Sequence, residues 1–454
     1  MTETNPFRKN MRVELTIDGM TSEGQGVGHL DGVAFFVPET CIGEKVAAHI
    51  IKVEKRYCVA KVVEILVASP NRVQPRCPVY SLCGGCTMQH MTYDEQLRLK
   101  RQFVEDAFER IGGISDIQVK PVIGMENPWR YRNKGSFPFG KENGCTVFGF
   151  YATRSHRLVP FTDCPIQNEN VIKTANAVAE WANECGLSVY DEETGYGTLR
   201  ACVSRITSEN RIMTVVVTHG KLPEEKKLIE KLEFVDSLYH NRNDKKTNVI
   251  MGDSFRLLKG EAALPETIDG VGYLVSPQSF LQVNSLQTAV LYQTAIKYLS
   301  VKPNETVFDL YCGIGTISLQ IAKEADRVVG IECVPEAIED AKENAKRNGI
   351  ENVEFICGLA EKIMPELVAK GYHTDAICLD PPRKGCEQKV LEAIIDSKVN
   401  RIVYVSCNPA TLARDVKILS DNGYSIESVQ PVDMFPNTSH CEVVVSMSRV
   451  GSKL

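Results

Sequence analysis

Residues 401–416 read RIVYVSCNPATLARDV, and the change of period in the middle of this stretch decides the fold. Residues 403–405 are apolar and partly β-branched, the composition of a short buried strand. A Ser-Cys-Asn-Pro turn follows, and a helical pattern begins at residue 411. A side chain at such a strand-to-helix corner lies at the carboxyl end of a sheet, where open α/β folds bind ligands. Cys407 holds that corner. A second stretch, VDMFPNTSHCEVVVSM (432–447), sets Glu442 just ahead of another apolar strand. Cys407 is the candidate nucleophile and Glu442 the candidate base.

Upstream, residues 305–322 (ETVFDLYCGIGTISLQIA) form the pattern strand, glycine loop, helix. Gly313 and Gly315 let the backbone turn tightly and approach a ligand, as in dinucleotide sites. Ser318 stands where a third glycine would be expected, which disfavours NAD. The next strand pattern, DRVVGIE, ends in Glu332, and an acid at a second strand's tip can accept hydrogen bonds from ribose hydroxyls. Further strands are predicted in NVEFICG, DAICLDPPRKG, SIESVQPVDMF and EVVVSMS, most of them separated by helices. The region from residue 275 onward therefore reads as a doubly wound α/β sheet with an antiparallel ending. Asp380 lies at the tip of its fourth strand and Cys407 at the tip of its fifth.

The first 66 residues are different. Short β-rich runs punctuated by glycine recur at the spacing of a small barrel. Lys52, Lys55, Arg56 and Lys61 fall along one hairpin of it, as in OB-like RNA-binding barrels. Next comes RCPVYSLCGGCTMQH, in which Cys77, Cys83 and Cys86 follow the pattern Cys-x5-Cys-x2-Cys, with Cys164 as a candidate fourth ligand. Thiolates packed this closely suit a soft metal centre, zinc or an iron–sulfur cluster, and spacing alone does not choose between them. Residues 93–111 carry apolar positions at helical period and end at a glycine pair. In residues 128–140, PWRYRNKGSFPFG, Arg130, Arg132 and Lys134 alternate with aromatic residues, which suits phosphate contact and base stacking. A plain hairpin surface fits that segment equally well.

At 454 residues the chain needs two or three domains. Its 43% hydrophobic and 24% charged residues describe a soluble globular protein. No apolar run reaches the roughly 18 residues of a membrane span, and the opening segment lacks an apolar signal core, so a cytoplasmic location is expected. Sixteen cysteines without an export signal suggest reactive thiols and metal ligation rather than a disulfide framework. The net charge of −6 requires any nucleic-acid contact to rest on local clusters of Lys and Arg.

The glycines at 24, 26, 28 and 43 with the run FFVP resemble a TRAM domain. PQSFLQVN, DLYCGIG, DPPRKG, SCNP and FPNTSHCE, in that order, resemble the RNA 5-methyluridine methyltransferase family of the large-subunit rRNA type, over essentially the whole chain. The resemblance implies a TRAM barrel in residues 1–66 and a central α+β iron–sulfur domain in 67–92 and 116–274. It implies a class I methyltransferase domain in 93–115 and 275–454. Gln282, Tyr311, Glu332 and Asp380 would line the S-adenosylmethionine pocket with Gly313 and Gly315, and Asp380 would also touch the uracil. Cys77, Cys83, Cys86 and Cys164 would hold a [4Fe–4S] cluster, zinc being the second choice. Relatives usually carry His where Asn437 stands.

The expected activity is methylation of carbon 5 of a uridine in 23S rRNA through a covalent Cys407–uracil adduct, by a monomer with no obligate protein partner. rRNA is preferred because tRNA-acting members of the family typically lack the barrel and the cluster. The alternatives are a tRNA uracil-5-methyltransferase and an RNA-binding assembly factor with a vestigial methyltransferase domain. An exocyclic amine is disfavoured because Arg383, not an aromatic residue, follows Asp-Pro-Pro, and cytosine because no cysteine lies within that motif.

Overall fold

The computed structural model describes residues 5–451. Strands β1 (Arg12–Met20), β2 (Gly26–Leu30), β3 (Val33–Val37), β4 (Lys45–Val53) and β5 (Tyr57–Val67) close into a barrel in the order β1-β2-β3-β5-β4. Strict alternation drives it: Val13, Leu15 and Ile17 of β1 point inward onto Phe35, Val46 and Ile50, while the residues between them face solvent. Closure removes the unpaired edges that a five-stranded open sheet would carry.

Helix α1 (Tyr93–Arg110) comes next and leaves the barrel. Val104, Ala107 and Phe108 pack into the same core as the last helix and strands of the chain. A central layer follows, built on β6 (Lys134–Glu142), β7 (Cys145–Tyr151), β8 (Leu158–Pro160), α2 (Glu169–Glu184), β9 (Leu199–Ile206), β10 (Ile212–Thr218), α3 (Glu225–Lys231), β11 (Ser237–Arg242) and β12 (Ser254–Gly260). Its seven strands run in the order β12-β11-β10-β9-β6-β7-β8. α2 covers one face through Val171, Ala175, Val178 and Trp181. The hairpin of β13 (Leu264–Ile268) and β14 (Val271–Val275) begins at Leu264, which packs on the other face.

The remainder is the α/β sheet: α4 (Ser285–Leu299), β15 (Thr306–Leu310), α5 (Thr316–Ile321), β16 (Arg327–Glu332), α6 (Pro335–Arg347), β17 (Val353–Cys357), α7 (Ala360–Ala369), β18 (Ala376–Leu379), α8 (Gln388–Ser397), β19 (Arg401–Ser406), α9 (Pro409–Asp421), β20 (Tyr424–Val432) and β21 (Glu442–Arg449). The order is β17-β16-β15-β18-β19-β21-β20, with β21 antiparallel to both neighbours. Because β21 runs backwards, its first residue lies at the edge where the parallel strands end. The tips of β15, β16, β18 and β19 and the start of β21 therefore share one rim. α9 begins two residues earlier than its periodicity predicts. Pro409 suits the first helical position, and Asn408 caps the helix by accepting from the Ala410 amide at 3.1 Å. No helix among the described residues is long and apolar enough to cross a membrane.

Candidate active site

The β19–β21 register pairs Ser406 with Val443. Carried one residue further, it sets Cys407 across from Glu442. Asp380 follows β18, the neighbour of β19 on the other side. These groups act on one another. Burial pushes the Glu442 carboxyl up to about 8, the charge of Asp380 adds to this, and Arg383 opposes it. The Cys407 thiol is pushed up to about 11, first by burial and then by Glu442, while Arg383 draws it back. Desolvation alone takes Asp380 to about 7. The site thus holds two acids that keep protons near neutrality, a thiol beside them and one exposed guanidinium. Arg383 received no role from the sequence; its place in DPPRKG was the available signal.

At the tip of β15, Tyr311 takes a left-handed backbone (φ 70°), and the Tyr311 and Cys312 amides donate to the Ile331 carbonyl at 2.8 and 3.0 Å. Gly313 (φ 55°) has no heavy atom within 4 Å of where a Cβ would stand, so the loop is open to a ligand there. Gly315 (φ 81°) is tight instead: a Cβ would meet the Phe355 ring at 3.0 Å. Glu332 is half-buried and accepts from the Gly313 amide at 3.2 Å and the Val334 amide at 2.9 Å, which fixes its carboxylate beside the loop. Ser318 replaces a third glycine because its hydroxyl donates to Asp309, whose carboxyl burial has pushed up to about 7. That buried acid also escaped the sequence reading. Gln282 lies in the segment before α4, where its carbonyl accepts from the Asn133 side chain at 3.2 Å.

The loop between β20 and β21 is tied from several sides. Lys100 of α1 donates to Asp433 at 2.5 Å with both side chains fully buried, and also to the Phe435 carbonyl at 3.0 Å. Asn437 (φ 68°) accepts from the Thr87 and Met88 amides at 3.1 and 3.0 Å. Its own amide nitrogen donates to Gln96 at 2.9 Å, and its side chain donates to the Pro128 carbonyl at 3.0 Å. The left-handed backbone suits Asn better than most residues.

Cys77, Cys83, Cys86 and Cys164 lie within electrostatic reach of one another. Burial raises Cys86 to about 12, with Cys164, Cys83 and Cys77 adding to it, and raises Cys164 to about 11. The all-sulfur donor set suits a soft metal. Among the described residues, however, no group of three or more His, Cys, Asp or Glu side chains is arranged to hold a metal ion.

A family profile for tRNA (uracil-5-)-methyltransferase matches residues 269–450, and one for the TRAM domain matches residues 6–63. An uncharacterized RNA methyltransferase of Halalkalibacterium halodurans is 48% identical over 445 residues, covering 97% of each chain. One of Clostridium tetani is 46% identical over 454 residues, covering 99% of this chain and 98% of its own. Among solved structures, the Pyrococcus abyssi tRNA (uracil-54, C5)-methyltransferase in complex with S-adenosyl-L-homocysteine superposes with a TM-score of 0.77 at 28% identity. That match covers 96% of this chain and 100% of the other, so whole-chain architecture does not separate rRNA from tRNA as the sequence argument assumed. With a TRAM barrel, an α/β domain that the methyltransferase profile matches and relatives aligned end to end, the chain belongs to the RNA uracil-5-methyltransferase family, enzymes whose methyl donor is S-adenosylmethionine.

Proposed function

We propose that this enzyme methylates carbon 5 of a uridine in 23S rRNA by way of a covalent bond between Cys407 and carbon 6 of the ring. The observation that carries the reading is the convergence of Cys407, Glu442, Asp380 and Arg383 on one rim. Carbon 5 of uracil is too poor a nucleophile to be methylated directly at a useful rate. Addition of the Cys407 thiolate at carbon 6 makes an enolate and places electron density on carbon 5. S-adenosylmethionine, when bound, supplies an electrophilic methyl group. Glu442 in its ionised form, which Arg383 favours against burial, then takes the proton left on carbon 5, and the Cys407 sulfur departs by elimination, restoring the ring. Arg383 favours the thiolate, opposing the burial that would keep the thiol protonated. Asp380, carrying a proton near neutrality, can donate to a uracil carbonyl. Gln282, Tyr311, Gly313, Gly315 and Glu332 line the donor's side, where the open face of Gly313 admits a ligand. The target base must leave its stack to present both faces.

The four cysteines would hold a [4Fe–4S] cluster on the loop that Asn437 grips. Anaerobic purification with iron and sulfide analysis tests this: iron near four per chain supports it, and zinc or no metal refutes it.

A tRNA substrate is the second reading, favoured by the full-length likeness to the Pyrococcus abyssi enzyme. Transfer of labelled methyl groups to unmodified 23S rRNA and to unmodified tRNA, followed by nucleoside analysis and mapping, decides between them. Label in 5-methyluridine of the rRNA alone is expected; label only in tRNA overturns the rRNA assignment.

A further inference from the structure

Lys134 on β6 and Arg205 on β9 stand directly opposite each other in the antiparallel register. Like charges in that position repel, and the sheet normally avoids them. Here they are also short of partners. Arg205 is 5% exposed; its Nη2 donates to the Ser279 carbonyl at 3.0 Å, and its Nη1 has no hydrogen-bond partner. Lys134, half-buried, has no hydrogen-bond or ion-pair partner for its ammonium among the described residues.

The nearest acid does not resolve this. Glu266 is buried and accepts from the Ser208 and Thr267 amides at 3.1 and 3.2 Å, but it makes no ion pair with Arg205, and its second oxygen is unpartnered. Burial and Arg205 together depress the Lys134 ammonium to about 8. A desolvated pair of cations costs free energy unless an anion joins it.

The place of the pair in the fold says which anion. Asn133, next to Lys134, donates to the Val283 carbonyl at 2.8 Å through its amide and to the Gln282 carbonyl through its side chain. Arg205 holds Ser279 of the same segment, and Phe280 beside it is 75% exposed. The cations therefore underlie the segment 276–284 that leads to the proposed donor pocket, next to an aromatic ring facing solvent.

We propose that Lys134 and Arg205 form a binding site for one backbone phosphate of the RNA, close to the methylated nucleotide. This rests on the RNA reading above and deepens it. The phosphate accepts from the half-buried Lys134 ammonium, while the buried Arg205 guanidinium contributes through its charge alone, and the repulsion across the strands is relieved. Such contacts set the register of the nucleic acid without reading its sequence.

The test compares the full-length wild type with Lys134→Gln and Lys134→Arg, using a uridine-rich single-stranded oligoribonucleotide and the RNA that serves as methyl acceptor. Lys134→Gln should bind both roughly tenfold more weakly. Its slope of log affinity against log salt should be shallower by about 0.7–0.9. S-adenosylhomocysteine affinity should be unchanged, kcat at saturating RNA near that of the wild type, and Lys134→Arg should restore binding. Equal RNA affinity and salt slope in the wild type and Lys134→Gln, with the wild type active, overturn the phosphate site and leave the RNA reading standing. Loss of S-adenosylhomocysteine binding in Lys134→Gln with RNA binding intact reassigns the cations to the donor's carboxylate and overturns the proposal. A wild type that neither binds nor methylates RNA removes both readings.

Discussion

Lys100 and Asp433 form a fully buried ion pair, 2.5 Å long, between a helix that precedes the central layer and the loop that leads into Glu442. They are 333 residues apart in sequence. The Asp433 carboxylate is further held by the Tyr93 hydroxyl at 2.8 Å and the Phe435 amide at 3.2 Å, so the ion is solvated by the protein. Removing one member leaves the other charge buried without compensation, which typically costs about 3–5 kcal/mol. Lys100→Met is therefore expected to lower the denaturant midpoint sharply. Lys100→Met with Asp433→Asn should regain part of that loss, and a double-mutant cycle by urea unfolding measures it.

Asn437 joins the cysteine loop, α1 and the approach to Glu442 through one residue with a left-handed backbone. Asn437→Ala loses the side-chain bond to Pro128 and strains the backbone, together about 2–3 kcal/mol. Asn437→Gly keeps the backbone geometry and should fall between Ala and the wild type. Thermal unfolding ranks the three. If the loop positions Glu442, both variants should slow product release more than formation of the Cys407 adduct.

Glu442 predicts a pH dependence of stability. Its folded pKa, about 8, lies above the unfolded carboxylate value near 4.3. The folded state therefore binds the extra proton, and its contribution is fully present below the unfolded pKa and lost as pH rises through about 8. Glu442→Gln mimics the protonated acid. Its Tm should match the wild type near pH 4.5, exceed it by a growing margin up to about pH 8, and run parallel above that. Calorimetry across this range checks the sign; a margin that shrinks with pH contradicts it.

Much of this architecture was legible because its signals are local. The run RIVYVSCNP carries strand, turn and helix start within a few residues, and the strand tips bearing Tyr311, Glu332, Asp380 and Cys407 follow from chain order alone. The barrel was legible through its short β-rich runs punctuated by glycine at the spacing that β1 to β5 show. The central sheet was legible only in part: the runs TVFGFYA and RIMTVVVTH match β7 and β10, and the helical pattern near 168–184 matches α2. β10 is buried at every residue, so period 2 is absent, and β12 is an edge strand with no buried residue, which left the strand order unread. Lys100 in the buried stripe of α1 gave no sign of its partner, because an ion pair across 333 residues leaves no periodic trace. The pairing of Lys134 with Arg205 was hidden for the same reason: register between β6 and β9 is set by tertiary contact.

The most direct test of the central claim uses acceptor RNA carrying 5-fluorouridine at the target, with S-adenosylmethionine present. Fluorine at carbon 5 cannot leave as a proton, so Glu442 has nothing to remove and the adduct should be trapped. Intact mass spectrometry of the wild type is expected to find protein joined to methylated RNA, with the bond mapped to Cys407 and absent from Cys407→Ala. A Cys407→Ala enzyme that still turns over unmodified RNA at the wild-type rate, or an adduct on another residue, would contradict the account.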